Sequence, residues 1–559
     1  MSIGATVRRI ALLAGLIVLA VQAFAQATGT RSRAYGTLTS RLRGSAAETL
    51  PDKCGLPAIA SALHSRAMLG APARAALGIL QTREEHQATL ITQDGRFKFH
   101  FDTTGTDAPA LVDSSGNRIE GTARGFVDSA AAIIMNVYQT EVVALGYPAP
   151  PTDGTLGGGP EYDIYISDLG DLYGLTMPDV FEAEGDISTT FIEIHNDFTF
   201  VSPKKNRGIP ALKVTLAHEF HHAIQIGAYG FWPTDSWFHE ITSVWMEDVV
   251  YHGINDYLNY LFVNGSQFSY PGTPLTVANG LIEYSRGIFG KFMTKRYGHD
   301  MMRQVWEHAR GSSPLPALDA ALRALPSPTT LSVAFAEWTL WNYYTGPRAD
   351  TAAYYVESAI FPVMAETYYD LISPSQQTSS TLSCLAGAYT GYVAGTDTVT
   401  VALANVNSAC PAEAQTAAAY TLTVSRSRID DTYRSIPDNL FLKLDVADQS
   451  SWVAWSIGRE GPVAGTAREG TAYPNPFRPD AGAVLYLPTN DDAGSLAIYS
   501  SGMELVYSGR QQSQTRLRQR VFTWDGRTNG GRTAPTGVYV FVLSLSGRTV
   551  TGKFALVRH

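Results

Sequence analysis

Ala217-His218-Glu219-Phe220-His221-His222-Ala223, followed by Trp237-Phe238-His239-Glu240-Ile241-Thr242-Ser243-Val244-Trp245-Met246-Glu247, is the stretch on which the fold turns. The first run has the form HExxH. On a helix, residues four apart lie one turn apart on one face, so the imidazoles of His218 and His222 converge. Two neutral imidazoles suit two corners of a tetrahedral zinc ion, and Glu219, one step round, can hold a water without ligating the metal. A catalytic zinc needs a third protein ligand. Glu240, 18 residues after His222 and on the next helix, is the expected one. Glu247 follows seven residues later on the same face, where it is expected to orient a ligand. Pro210 and Gly227 bound the first predicted helix, and Asp235 or Ser236 and Gly253 bound the second. The plain alternative is a pair of core histidines beside an unrelated acid.

Outward from this pair, the pattern is strand-like before it and helical after it. Phe97, His100 and Phe101 begin a strand-like stretch, and residues 123–145 carry helical apolar spacing. Tyr162-Asp163-Ile164-Tyr165-Ile166 and Phe191-Ile192-Glu193-Ile194 alternate as strands do. The strand 191–194 is expected to be the edge that an extended peptide pairs with. Helices are predicted over 281–297, 301–310, 315–325 and 330–344. Strands followed by helices indicate an α+β catalytic domain over residues 95–365, mostly helical after its N-terminal sheet. Residues 26–94 read as a pro-segment or N-terminal extension, and a Ser/Gln/Thr-rich stretch marks a linker at 366–380. Beyond it, alternating runs predict a β-sandwich module over 381–465 and a second all-β unit over 470–559.

The chain has 559 residues, with 42 Lys and Arg against 51 Asp and Glu and a net charge of −9. No basic cluster is dense enough for a nucleic-acid surface. Arg8 and Arg9 precede an apolar run over 10–21, and Ala23-Phe24-Ala25 follows. This pattern predicts a signal peptide over 1–25, cleaved near Ala25, and a protein that is secreted or held at the cell surface. The run is short for a membrane span and no later one reaches that length, so no transmembrane segment is expected in the mature chain. Of the three cysteines, Cys384 and Cys410 could pair in an oxidising compartment, which leaves Cys54 over.

The two helices resemble those of the gluzincin zinc metallopeptidases, which include thermolysin and the aminopeptidase N group. In that second group the downstream helix also reads Trp, two residues, Glu, then a second Glu seven later, as Trp237, Glu240 and Glu247 do here. Such enzymes carry farther on a Tyr followed by a basic residue and Gly, and Tyr284-Ser285-Arg286-Gly287 is similar, with Arg where Lys is usual. The resemblance implies a zincin-like fold, a single catalytic zinc, Glu219 as general base, and Tyr284 as the hydroxyl donor to the tetrahedral oxyanion. It covers roughly residues 185–300, and the surrounding sequence also resembles a family of secreted bacterial metallopeptidases. The Gly-Ala-Met-Glu-Asn strand with which aminopeptidases grip a free N-terminus does not precede His218. An endopeptidase acting on protein or peptide substrates is therefore expected.

Lys53-Cys54-Gly55-Leu56-Pro57 resembles the cysteine-switch segment of matrix metalloproteinase propeptides, which implies Cys54 as a latency thiol. A disulfide or a buried inert thiol is the alternative. Asp113-Ser114-Ser115-Gly116-Asn117 is faintly similar to an acidic calcium loop, with an ordinary turn as the plainer reading. In the tail, Tyr473-Pro474-Asn475-Pro476-Phe477, Trp524-Asp525-Gly526, Gly537-Val538-Tyr539 and Gly552-Lys553-Phe554 resemble FlgD-type Ig-like and type IX secretion sorting domains. That resemblance implies a partner in the secretion machinery. A second function class remains open: a surface adhesion or carbohydrate-binding protein with an inactive zincin domain. Zinc content and a working Glu219 separate the two.

Overall fold

The computed structural model describes residues 30–39, 51–370, 484–516 and 519–558, with strand segments and single residues between 375 and 479. The predicted signal peptide, Cys410 and residues 473–476 lie outside the described residues. The fold is mixed α/β, with a sheet towards the N-terminus, helices in the middle and β-sheets towards the C-terminus.

The first sheet contains β1 (Asp52–Cys54), β2 (Ala88–Ile91), β3 (Phe97–Phe101), β4 (Tyr162–Ser167), β5 (Leu172–Pro178) and β6 (Thr190–His195), in the order β1-β5-β6-β4-β3-β2. Strands β3, β4 and β6 run parallel, whereas β5 is antiparallel to β6. β-Branched and aromatic residues such as Ile164, Tyr165, Phe191 and Ile192 suit a pleated surface, and β4, β5 and β6 are buried on both faces.

The helices are α1 (Thr30–Thr39), α2 (Leu56–His64), α3 (Ala71–Leu80), α4 (Ala123–Tyr138), α5 (Ile209–Ile224), α6 (Ser236–Val250), α7 (Ile282–Ser285), α8 (Gly287–Tyr297), α9 (Met301–His308), α10 (Pro314–Arg323) and α11 (Leu331–Tyr343), with a further short turn of helix at Leu258–Leu261. Pro210 sits in the first turn of α5, where a missing N–H costs nothing. From Ala211 to Ile224 every residue of α5 except Lys213 is buried, because the helix lies between the sheet and α6. Both α4 and α5 run on into a π-helical turn, at Gln139–Ala144 and Gln225–Tyr229. Helix α8 meets α6 at very close range: a Cβ on Gly290 would lie 2.4 Å from Cγ of Trp245.

Strand β5 bears directly on the site. A Cβ on Gly174 would stand 2.9 Å from both the Glu193 carbonyl oxygen and Thr215 Cγ2, and 3.1 Å from Glu219 Cγ. The bare backbone at this point lets α5 close on the sheet. Gly174→Ala is expected to cost about 1–3 kcal/mol through overpacking, read as a lower urea midpoint at an unchanged slope.

Four expectations need correction. The strand at Phe191 is not the edge: β6 lies between β5 and β4, and β5 followed by β1 forms that side of the sheet. The linker expected at 366–380 contains strands Thr367–Asp370 and Ser375–Ser383, since a polar Ser/Thr run can pair as readily as an apolar one. The helix expected over 281–297 breaks at Arg286 into α7 and α8. The domain bound expected at residue 95 leaves out part of the sheet: residues 52–91, within the segment read as a pro-segment or N-terminal extension, supply both outer strands, and Leu56, Ile59, Leu77 and Leu80 lie in the same apolar core as α5 and α6.

Past residue 366 the described structure is all β. Strands Ser375–Ser383 and Ala417–Ser425 pair, and a five-stranded sheet runs from Thr367–Asp370 at one edge to Leu440–Leu444 at the other. Cys384 is disulfide-bonded and Cys54 is free. A separate core farther on gathers Phe477, Trp524, Tyr539 and Phe554, between a three-stranded and a four-stranded sheet. The tail's aromatic motif residues are thus its packing centre: Trp524 lies 5.9 Å from Phe477 and 5.7 Å from Phe554, ring centre to ring centre.

Candidate metal centre

Helix α5 carries His218, Glu219 and His222, and α6 carries Glu240 and Glu247. Their packing brings Nε2 of His218 within 3.0 Å of Nε2 of His222. Glu240 closes the triangle, with Oε2 3.2 Å from His218 Nε2 and Oε1 3.3 Å from His222 Nε2. All three side chains are at most 1% exposed. Cys54 Sγ joins them: one ligand atom from each of Cys54, His218, His222 and Glu240 lies within 4.8 Å of the others. These four form a buried group able to hold a metal ion.

The partners of the imidazoles show why this group could hold a cation. His218 Nδ1 lies 2.7 Å from Glu247 Oε1, and His222 Nδ1 lies 2.7 Å from Gln225 Oε1. Both partners accept hydrogen bonds, so the Nδ1 atoms carry the protons and each Nε2 turns a lone pair inward. Two lone pairs 3.0 Å apart repel unless a cation lies between them. Oε1 of Glu240 and Oε1 of Glu219 are buried without a hydrogen bond. In the metal-free chain a proton answers the need. Burial opposes it, but Glu240 and Glu247 hold His218 up to about 10. Against the same burial, His222 and His218 hold Glu240 down to about 2. Zinc fits this donor set, with two nitrogens, one carboxylate oxygen and a buried sulfur.

The neighbours complete the site. Glu219 Oε2 accepts from Thr176 Oγ1 at 2.8 Å and lies 3.7 Å from Cys54 Sγ, while burial raises its pKa. Lys53 Nζ binds Glu247 Oε2 at 2.9 Å and Asp256 Oδ2 at 2.5 Å. The hydroxyl of Tyr284 donates to the Cys54 carbonyl at 3.2 Å. Arg286, in the same triplet, donates to the carbonyls of Thr273, Pro274, Leu275 and Val277 and so anchors the preceding loop. His221 pairs with Glu141 at 2.9 Å, and His239 points at Gln225 and Trp306, so neither is a ligand. Asp113 spends its carboxylate on the backbone N–H groups of Ser115 and Asn117, as an ordinary turn does, and it belongs to no cation-binding group among the described residues.

The structure therefore gathers His218, Glu219, His222, Glu240, Glu247, Tyr284 and Cys54 in one place. Sequence reasoning missed Thr176, Gln225, Lys53 and Asp256. Gln225 was within reach, being three residues after His222 and so on the same helical face. Glu247→Gln is expected to weaken metal binding about 10–100-fold, since it leaves the ligands but loosens the grip on His218. Titration against a fluorescent zinc chelator measures it.

No helix among the described residues is long and apolar enough to cross a membrane. No family model and no curated protein matches the chain. Among solved structures, a stretch covering 22% of the chain is similar, at 19% identity and a TM-score of 0.14, to part of PorZ, described as an essential bacterial surface component of the type-IX secretion system of Porphyromonas gingivalis. The match spans 15% of that structure, a weak and partial likeness.

Proposed function

We propose that the chain is a secreted zinc-dependent endopeptidase, with His218, His222 and Glu240 as ligands and Glu219 as general base. One observation carries the reading: two imidazole nitrogens and a carboxylate converge within 3.3 Å of one another, with a second carboxylate beside them that ligates nothing. Zinc held there would supply a Lewis acid that makes water more acidic and polarises a peptide carbonyl. Thr176 fixes Oε2 of Glu219, and the unpaired Oε1 is left to take a proton from water and pass it to the leaving amine. Tyr284 already donates to a backbone carbonyl, the kind of group it would stabilise in the reaction, and a lost donor of this type costs about 3 kcal/mol of barrier. Glu247 and Gln225 orient the two imidazoles.

The sequence patterns at both ends support the rest of the reading: export by the signal peptide over 1–25, and Ig-like modules over 381–465 and 470–559, the last a sorting domain that meets the secretion machinery. Casein digestion with and without a chelator, beside metal analysis, tests the whole. One zinc per chain is expected, with chelator-sensitive cleavage once limited proteolysis has opened the site, where Glu219, His222 and Glu240 are 0% exposed. A metal-free chain without activity would instead favour the adhesion or carbohydrate-binding reading.

A further inference from the structure

We infer that the segments 30–39 and 52–80 are an internal inhibitor of this site, with β1 standing in the place of a substrate strand and Cys54 taking the metal's fourth position. The inference rests on the metallopeptidase reading. Three independent features of the structure carry it.

The first is the coordination. Three ligands leave a tetrahedral ion one corner, and Cys54 Sγ is the fourth donor of the buried group. Two buried carboxylate oxygens there, on Glu219 and Glu240, have no hydrogen-bond partner. On coordination the Cys54 S–H bond breaks and the S–metal bond forms. The proton leaves towards Glu219, whose Oε2 lies 3.7 Å from the sulfur.

The second is the strand. β1 pairs in parallel with β5, Asp52 against Leu172 and Cys54 against Gly174, and Gly55 N–H adds a bond to the Gly174 carbonyl at 3.0 Å. It thereby covers the edge that an extended peptide needs. The Cys54 carbonyl accepts from Tyr284, as a scissile carbonyl would, and from Tyr35 of α1 at 3.3 Å.

The third is the clamp. Lys53, 1% exposed, bridges Glu247 and Asp256, and Arg31 of α1 is ion-paired with Glu193 of β6. With β1 seated, Glu219, His222 and Glu240 are each 0% exposed, so no peptide reaches them. Activation requires a proteolytic cut that frees the segment. The connection 81–87, in which Thr82, Glu85 and Gln87 are exposed, is the peptide to sever, because β2 beyond it belongs to the opposite side of the sheet.

The full chain loaded with Co²⁺ in place of zinc tests this. Thiolate-to-cobalt charge-transfer absorption is expected in the wild type and absent from Cys54→Ser, with one cobalt bound by each. A second measurement needs no variant: bound metal should slow alkylation of Cys54 by iodoacetamide about tenfold or more relative to the chelated chain, because a metal-held thiolate is withheld from the reagent. Equal cobalt binding with no sulfur band, and alkylation indifferent to metal, would overturn the inhibitor and leave the metal site standing. Failure of both chains to bind cobalt would overturn the inhibitor together with the metallopeptidase reading.

Discussion

Glu219→Gln, made in a chain cut within residues 81–87 so that the covering segment is released, is expected to bind one zinc as tightly as its parent and to lose about 10²–10⁴-fold in peptide hydrolysis. The exchange is nearly isosteric. It leaves His218, His222 and Glu240 untouched, and the new amide oxygen still accepts from Thr176 Oγ1, the partner at 2.8 Å. What disappears is the ability to take a proton at the atom that has no partner in the structure, Glu219 Oε1. Metal content and turnover are measured on one preparation, so a fall in activity cannot be blamed on lost zinc. Hydrolysis unchanged by the substitution would remove Glu219 from the chemistry and open the way to a different base.

Lys53→Met is expected to cost about 3–5 kcal/mol, the range for breaking one side of a buried ion pair. Methionine matches the length and the apolar stem but leaves Glu247 Oε2 and Asp256 Oδ2 facing each other without the ammonium. Asp256 keeps the amide nitrogens of Asn206 and Asn259, each at 3.0 Å, and Glu247 keeps His218. The loss falls on the seating of β1. By the rule of about 1.4 kcal/mol per tenfold, alkylation of Cys54 should quicken about 140- to 4,000-fold in the metal-free chain. A rate equal to that of the parent would mean that Lys53 does not hold the strand down.

The convergence of the site's side chains was legible because helical periodicity is rigid. Four residues apart means one face, so His218 and His222 had to meet, and the spacing to Glu240 and Glu247 follows the same geometry on α6. The tail's cores were legible for a similar reason, since Trp524, Tyr539 and Phe554 are large aromatic residues that must be buried somewhere. What the sequence did not disclose is non-local. β5 was overlooked because Gly174 interrupts its apolar run and Pro178 ends it, although that glycine is what admits α5. The register of β1 on β5 depends on a pairing across more than a hundred residues, with three residues of strand to signal it. Lys53 gives no hint in one dimension that two acids on other elements await it. Arg286 looked like a stand-in for lysine in a triplet, and its work turns out to be holding carbonyls of the 273–277 loop.

The parallel pairing of β1 on β5 has a consequence for the activated molecule. Parallel ladders are somewhat weaker per residue than antiparallel ones, so a short tether of this kind can be exchanged for a longer antiparallel visitor. Once the tether departs, β5 becomes a bare rim with unsatisfied amides, the sort of surface on which copies of a chain stack into insoluble assemblies. Keeping the cover on would therefore protect solubility as well as close the proposed active site.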